Sequence, residues 1–256
     1  MEAQAASEMR AAAVKVPAVT LLFWVLKILA TTLGETGGDA VSMSLNLGYL
    51  VSTGIFAVLF VLAVAAQIRA TTFRPWLYWA TIVASTTVGT TLADFVTRSM
   101  GIGYLGGSLL LVALLLGSLA LWHRTLGSVS VSSITTPKAE AFYWTTIMFS
   151  QTLGTALGDW TADSAGLGYT GAAAVFGGLL LLVVVLYYGT SVSRTALFWA
   201  AFVLTRPLGA VVGDFLDKPV DHGGLALSRF TASAVLLGAM VVLLLVVPQR
   251  AADRQH

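Results

Sequence analysis

One frame recurs four times in this chain. A Trp stands at positions 24, 79, 144 and 199. Ten residues after each lies a Gly (Gly34, Gly89, Gly154, Gly209), and fifteen residues after each an Asp (Asp39, Asp94, Asp159, Asp214). The residue before each Asp is small: Gly38, Ala93, Gly158 or Gly213. Four gapless matches exclude coincidence and demand an architecture that uses one unit four times. Successive Trp residues lie 55, 65 and 55 apart, so Trp24 to Trp144 and Trp79 to Trp199 both span 120 residues. That pattern is a duplication of a duplication.

The unit has no place in water. The chain is 57% hydrophobic and 10% charged, with a mean hydropathy of +0.86, where a soluble domain carries roughly 25% charged residues. A helix needs about 20 apolar residues to cross the hydrocarbon layer. By that rule eight spans are expected, over residues 17–37, 46–67, 76–97, 102–122, 141–162, 167–189, 195–216 and 224–247. Pro17 and Pro75 suit first helical turns, where a missing N–H costs nothing, and Pro248 stops the last span. The expected fold is therefore all-α and polytopic. Each repeat is a hairpin of a frame-bearing span and a plainer Leu/Val/Ala span, entered through Gly48-Tyr49, Gly103-Tyr104, Gly168-Tyr169 or Gly223-Gly224. Two spans per repeat give every repeat the same orientation, so the four are parallel, with pseudo-symmetry about the membrane normal.

The division that follows is a lead-in over 1–15, read as cytosolic and helical, a first half over 16–124, a Ser/Thr-rich linker over 125–140, a second half over 141–248 and a tail over 249–256. Nine Lys and Arg residues (10, 15, 69, 74, 124, 138, 194, 250, 254) fall on one side of the spans and three (98, 218, 229) on the other. Positive loops stay in the cytosol, which places both termini there. No cysteine is present, so disulfides, thiolate metal sites and cysteine nucleophiles are excluded. A net charge of +2 without a basic aromatic tract gives nucleic acid nothing to bind. The partner is the lipid bilayer, and the sequence leaves oligomeric state open, a homo-oligomer included.

Ionisable groups within spans cost at least about 2.5–3.5 kcal/mol each if they face lipid, so they are expected to face the bundle interior. Positions 3, 7, 11 and 15 after each Trp share one helix face. That face reads Lys27, Thr31, Glu35, Asp39 in repeat 1, and Ile82, Thr86, Thr90, Asp94 in repeat 2. It reads Ile147, Gln151, Thr155, Asp159 in repeat 3, and Phe202, Arg206, Ala210, Asp214 in repeat 4. Four such stripes around one axis are expected to line a cavity. Each frame Gly and the small residue four positions later form a small-xxx-small face for close helix approach. At about 1.5 Å per residue, each Asp lies roughly 22 Å from its Trp, so Trp24, Trp79, Trp144 and Trp199 are expected to anchor at one membrane interface, with the carboxylates in the outer half.

Carboxylates and hydroxyls are hard ligands. They suit a divalent cation such as Mn²⁺ or Ca²⁺, and no cluster of His123, His222 and His256 points to a softer metal. A proton is the other candidate. Lys27 and Arg206 are expected to be structural counter-charges. Arg206-Pro207 breaks the repeat pattern, and a proline inside a helix frees a carbonyl, which makes the seventh span the candidate for a moving or broken helix. Asp163, Asp217 and Asp221 are read either as an outer vestibule for cations or as solvated loop acids.

The Trp–Gly–Asp frame on paired spans, over about residues 18–247, resembles a bacterial family known only as a tandem repeat of unknown function (domain of unknown function 347), each repeat two membrane spans with a characteristic Trp. The resemblance implies the architecture and a bacterial cytoplasmic membrane, and no activity. The stretch LGETGGD also resembles the Glu-x-Gly-Asp motif of small manganese and calcium exporters, with Glu35 and Asp39 four apart instead of three and no following Lys-Thr. An intramembrane aspartyl protease would need Gly three positions before its Asp, where this chain has Thr36, Thr91, Ala156 and Val211; no enzyme is expected. The expected function is transport of a small cation through an acidic cluster, with proton coupling and a bound divalent cation as options. A non-transporting scaffold or sensor with a dry, ion-paired core is the competing class.

Overall fold

The computed structural model describes residues 14–252. Eight long helices account for most of them: α1 (Leu21–Asp39), α2 (Gly48–Arg69), α3 (Pro75–Asp94), α4 (Gly103–Leu126), α5 (Pro137–Asp159), α6 (Gly168–Gly189), α7 (Arg194–Asp217) and α8 (Arg229–Val246). The expected helical lead-in lies almost wholly outside the described residues. Five helices, α2, α4, α6, α7 and α8, are long and apolar enough to cross a membrane. The other three frame helices, α1, α3 and α5, fall short because the polar stripe lowers their hydropathy, not because they are short.

Local chemistry sets most boundaries. Thr20, Thr136 and Ser193 accept the Phe23, Ala139 and Ala196 N–H groups at the starts of α1, α5 and α7, each satisfying one of the orphan donors at a helix N-terminus. Pro75 and Pro137 occupy first turns. Pro17 does not: it pairs antiparallel with Ala251, so chain entry and exit lie side by side. Gly48, Gly103 and Gly168 open α2, α4 and α6 at φ +74°, +71° and +64°, a left-handed conformation that side chains disfavour. Repeat 4 lacks this turn, and α8 begins at Arg229 rather than near 224 because Gly224 is tucked against the Lys218 backbone. Helices α1, α3 and α5 each pass their Asp into a π-helical turn (Ala40–Ser44, Phe95–Ser99, Trp160–Ser164). Helix α7 runs unbroken through Pro207.

The four frame helices form a closed inner ring in which α1 contacts α3, α3 contacts α5, α5 contacts α7, and α7 contacts α1. Outer helices do not lie on their own hairpin partners. Each packs on the frame helix of the following repeat: α2 on α3, α4 on α5, α6 on α7, and α8 back on α1. The outer helices bury little, α2 only Ser52 and Gln67 and α8 only Ala232 and Met240, so their apolar surfaces face outward, as lipid requires. Segment 125–140 is no free connector. Val131 and Ile134 are buried, and the Val129 carbonyl accepts the Trp199 indole N–H at 3.0 Å.

Candidate functional site

The ring is built by one contact rule applied four times. A Cβ placed on Gly34 would fall 2.0 Å from Thr86 Oγ1, on Gly89 2.9 Å from Gln151, on Gly154 2.2 Å from Arg206 and on Gly209 2.1 Å from Thr31. The Gly ten residues after each Trp therefore receives the side chain seven residues after the next Trp, and repeat 4 closes onto repeat 1. The same register carries hydrogen bonds between repeats: Thr86 Oγ1 donates to the Ala30 carbonyl at 3.1 Å, and Thr31 Oγ1 to the Thr205 carbonyl at 3.2 Å.

Around the axis the expected stripes face one another as filled layers. Lys27, Thr31, Thr86, Thr90, Gln151, Thr155 and Arg206 are all 0% exposed, so no water-sized void touches them and the expected open cavity is absent at these residues. The Trp end is sealed by aromatics. Trp79, Trp144 and Trp199 are buried there with Phe23, Tyr78, Tyr143 and Phe198, the residues that precede each frame Trp. The Tyr78 and Tyr143 hydroxyls meet at 2.6 Å. Three of the four expected interface anchors thus point inward, because the aromatic before each Trp draws the pair into one cluster; Trp24 alone stays half-exposed.

One turn further along, Lys27 Nζ lies 4.1 Å over the Phe202 ring without a hydrogen-bond partner. It pairs with no carboxylate among the described residues, contrary to its expected role. Arg206 does serve as a counter-charge. From α7 its Nη2 donates to Glu35 Oε2 on α1 at 2.9 Å, to Thr90 Oγ1 on α3 at 2.7 Å and to Thr155 Oγ1 on α5. Four repeats thereby meet at one guanidinium.

The four frame Asp residues form the next tier, all at most 3% exposed. Two cations divide them. Arg98 contacts Asp94 Oδ1 and Asp159 Oδ2, each at 3.0 Å. Lys218 contacts Asp214 Oδ1 at 2.9 Å and, more closely, Asp39 Oδ2. Each cation binds its own repeat's Asp and that of the next repeat. Sequence reasoning counted both only as loop charges. Their signal was present, since each follows its Asp by four residues, the spacing of an intrahelical ion pair, and only in repeats 2 and 4. Asp217, expected in a vestibule or in solvent, is buried and takes Arg229 Nε at 2.8 Å, whereas Asp163 and Asp221 are exposed.

Charge does not balance at this tier. Asp39, Asp94, Asp159, Asp214 and Asp217 face Arg98, Lys218 and Arg229, so carboxyl groups outnumber cations at this tier by two. Arginine stays protonated in proteins. Burial works against the Lys218 ammonium, but Asp214, Asp39 and Asp217 hold its pKa well above the ordinary lysine value, so none of the three cations lowers the cost by losing its proton. Asp39 Oδ1, Asp94 Oδ1 and Asp214 Oδ1 are buried without a hydrogen bond; the contacts of the last two to Arg98 and Lys218 are ion pairs out of hydrogen-bond alignment. One oxygen each of Glu35, Asp39 and Asp214 lies within 4.8 Å of the other two. Oxygens around a Ca²⁺-sized ion at about 2.3–2.6 Å can be no further apart than about 5 Å, so this trio has the spread of a hard-cation site.

A family model described as Repeat of Unknown Function (DUF347) matches the chain four times, over residues 22–73, 77–128, 142–193 and 197–249. Each match takes in one frame helix and the outer helix that follows it. Comparison with curated proteins and with solved structures finds no match.

Proposed function

The chain belongs to the family of the Repeat of Unknown Function (DUF347), a multi-pass membrane protein by its apolar helices, and from its own residues we propose that it transports a small cation. In this reading all eight helices span the bacterial cytoplasmic membrane, both termini lie in the cytosol, and the carboxylate tier lies in the outer half. The observation that carries the proposal is the excess of two buried carboxyl groups over cations at that tier, two negative charges when all are ionised. Isolated charge in a low-dielectric interior costs several kcal/mol per ion. One divalent cation or two protons would remove the excess.

Lys218 gives the exchange a physical form. It bridges Asp39 and Asp214, two of the three residues whose oxygens converge. A Mn²⁺- or Ca²⁺-sized substrate entering the Glu35, Asp39 and Asp214 oxygens would displace this tethered ammonium. Displacement would loosen the end of α7 from α1, which couples occupancy to helix movement. Arg98 would do the same between Asp94 and Asp159. The aromatic layer would close the cytosolic side while the outer side exchanges.

The test is flux of Mn²⁺, Ca²⁺ and H⁺ in proteoliposomes, read with internal metal and pH dyes. Flux of at least one ion is expected in the native protein, with loss on replacing the four frame Asp by Asn. Equal flux in both proteins would sink the proposal. A second reading, a non-transporting scaffold or sensor, is favoured by the closed interior at Arg206 and its bond to Glu35. It expects no flux of any ion, with the same substitutions altering stability alone.

A further inference from the structure

The pseudo-symmetry is not kept all the way round, and where it fails between α6 and α1 it leaves a groove. An outer helix packs on the next repeat's frame helix and reaches toward the one after. From α2, Phe60 meets Trp144 on α5. From α4, the fully buried Trp122 meets Trp199 on α7. By the same step an aromatic of α6 should meet Trp24 on α1, and among the described residues none does. The residues of α6 equivalent to Val112, Leu115 and Trp122 of α4 are Gly177, Leu180 and Tyr187, and they line a groove of about 560 Å³ shared with Trp24, Phe198 and Arg194. Tyr187 is 37% exposed where Trp122 is 0%.

The chemistry along the groove changes with depth. Its deep part is apolar, with Ile28, Gly177, Leu180, Val184 and Leu208, and the one polar residue beside them, Thr205, turns its hydroxyl to the Phe202 carbonyl at 2.8 Å. Its mouth, at the Trp end, carries the hydroxyls of Thr20, Thr195 and Tyr187 and one charged residue, Arg194. Arg194 donates to the Tyr187 carbonyl and stacks 4.3 Å from its ring, yet has no carboxylate partner among the described residues. Gly177 to Tyr187 is ten residues of helix, about 15 Å, half of a hydrocarbon layer of about 30 Å. A slot one leaflet deep, apolar below and cationic at its mouth, complements an amphiphile with an anionic head.

We propose that this groove is a binding site for one anionic phospholipid, an acyl chain lying between α6 and α1 and the phosphate on Arg194. The inference stands apart from the transport proposal and needs only that the helices lie in a bilayer. Gly177 supplies a clean test, because a Cβ there meets nothing within 4 Å. Detergent-purified full-length protein is incubated with phosphatidylglycerol or phosphatidylcholine of the same acyl composition. Retained lipid is counted by native mass spectrometry, and the melting temperature is followed in parallel, since a ligand bound only by the folded state raises it. The native protein is expected to retain phosphatidylglycerol several-fold over phosphatidylcholine. Gly177→Trp is expected to lose retention of both while melting cooperatively, and Arg194→Gln to hold the two equally. Equal retention of both lipids by the native protein, or an undiminished preference in Gly177→Trp, would overturn the assignment.

Discussion

Arg206 bonds to all three of the other repeats from the one that carries it, and its worth to the fold lies in what it leaves behind when removed. Among the described residues Glu35 has it as the one cationic partner in hydrogen-bond contact, with Thr90 Oγ1 a weaker donor at 3.3 Å. Removing one member of a buried pair costs about 3–5 kcal/mol, because the other charge stays buried and unpaired. Arg206→Met keeps the stem that packs on Gly154 and deletes only the guanidinium. It is expected to lower stability by about that amount in thermal melts, and adding Glu35→Gln should restore more than half. A double variant no more stable than the single one would show that Arg206 acts through packing instead. The charged stripe itself was legible residue by residue, since helical spacing put Glu35, Asp39 and the other frame Asp residues on inward faces. The partners were not legible. Lys27, read as a counter-charge, meets an aromatic ring, and Arg98 and Lys218, read as loop charges, hold the carboxylates.

The frame helices approach one another through glycines that differ in how much the neighbour can yield. At Gly89 a Cβ would meet the Gln151 backbone carbon at 3.0 Å and the Thr152 N at 3.1 Å. Backbone cannot rotate away, so Gly89→Ala must push α3 from α5, at a cost of about 1–3 kcal/mol. Gly238 on α8 has nothing within 4 Å of its Cβ, and there Ala should be neutral or stabilising by up to about 1 kcal/mol, the helix propensity difference. Paired melts of the two variants check this, and a Gly89→Ala protein as stable as Gly238→Ala would refute the close approach. The three frame helices that miss the apolar threshold belong to the same picture. Ringed by outer helices and by each other, α1, α3 and α5 spend their polar residues inward, and hydropathy along the chain records the polarity without the shelter.

Closure distinguishes this molecule from a row of four hairpins. Helix α8 returns to α1, where Thr36 and Ser233 place their hydroxyl oxygens 2.8 Å apart, and the Pro17–Ala251 pairing brings entry and exit together. Side chains that meet this closely are within reach of a disulfide, and the chain has no cysteine to interfere. Thr36→Cys with Ser233→Cys is expected to cross-link within one chain on mild oxidation, seen as a linked peptide by mass spectrometry. A link found only between separate chains, or none, would open the ring.

Repetition, membrane character, eight helices and inward carboxylates could all be read along the chain, because each rests on periodicity or on the cost of charge in lipid, both local properties. Residue identity also specified the close approaches, since only glycine lets a helix backbone receive a neighbour's side chain. Which helix lies against which, and therefore which cation meets which carboxylate, emerged only in three dimensions. Four near-identical frames offer each outer helix its own partner or the next one with the same local pattern, and only the simultaneous fit of all eight around one axis selects the next.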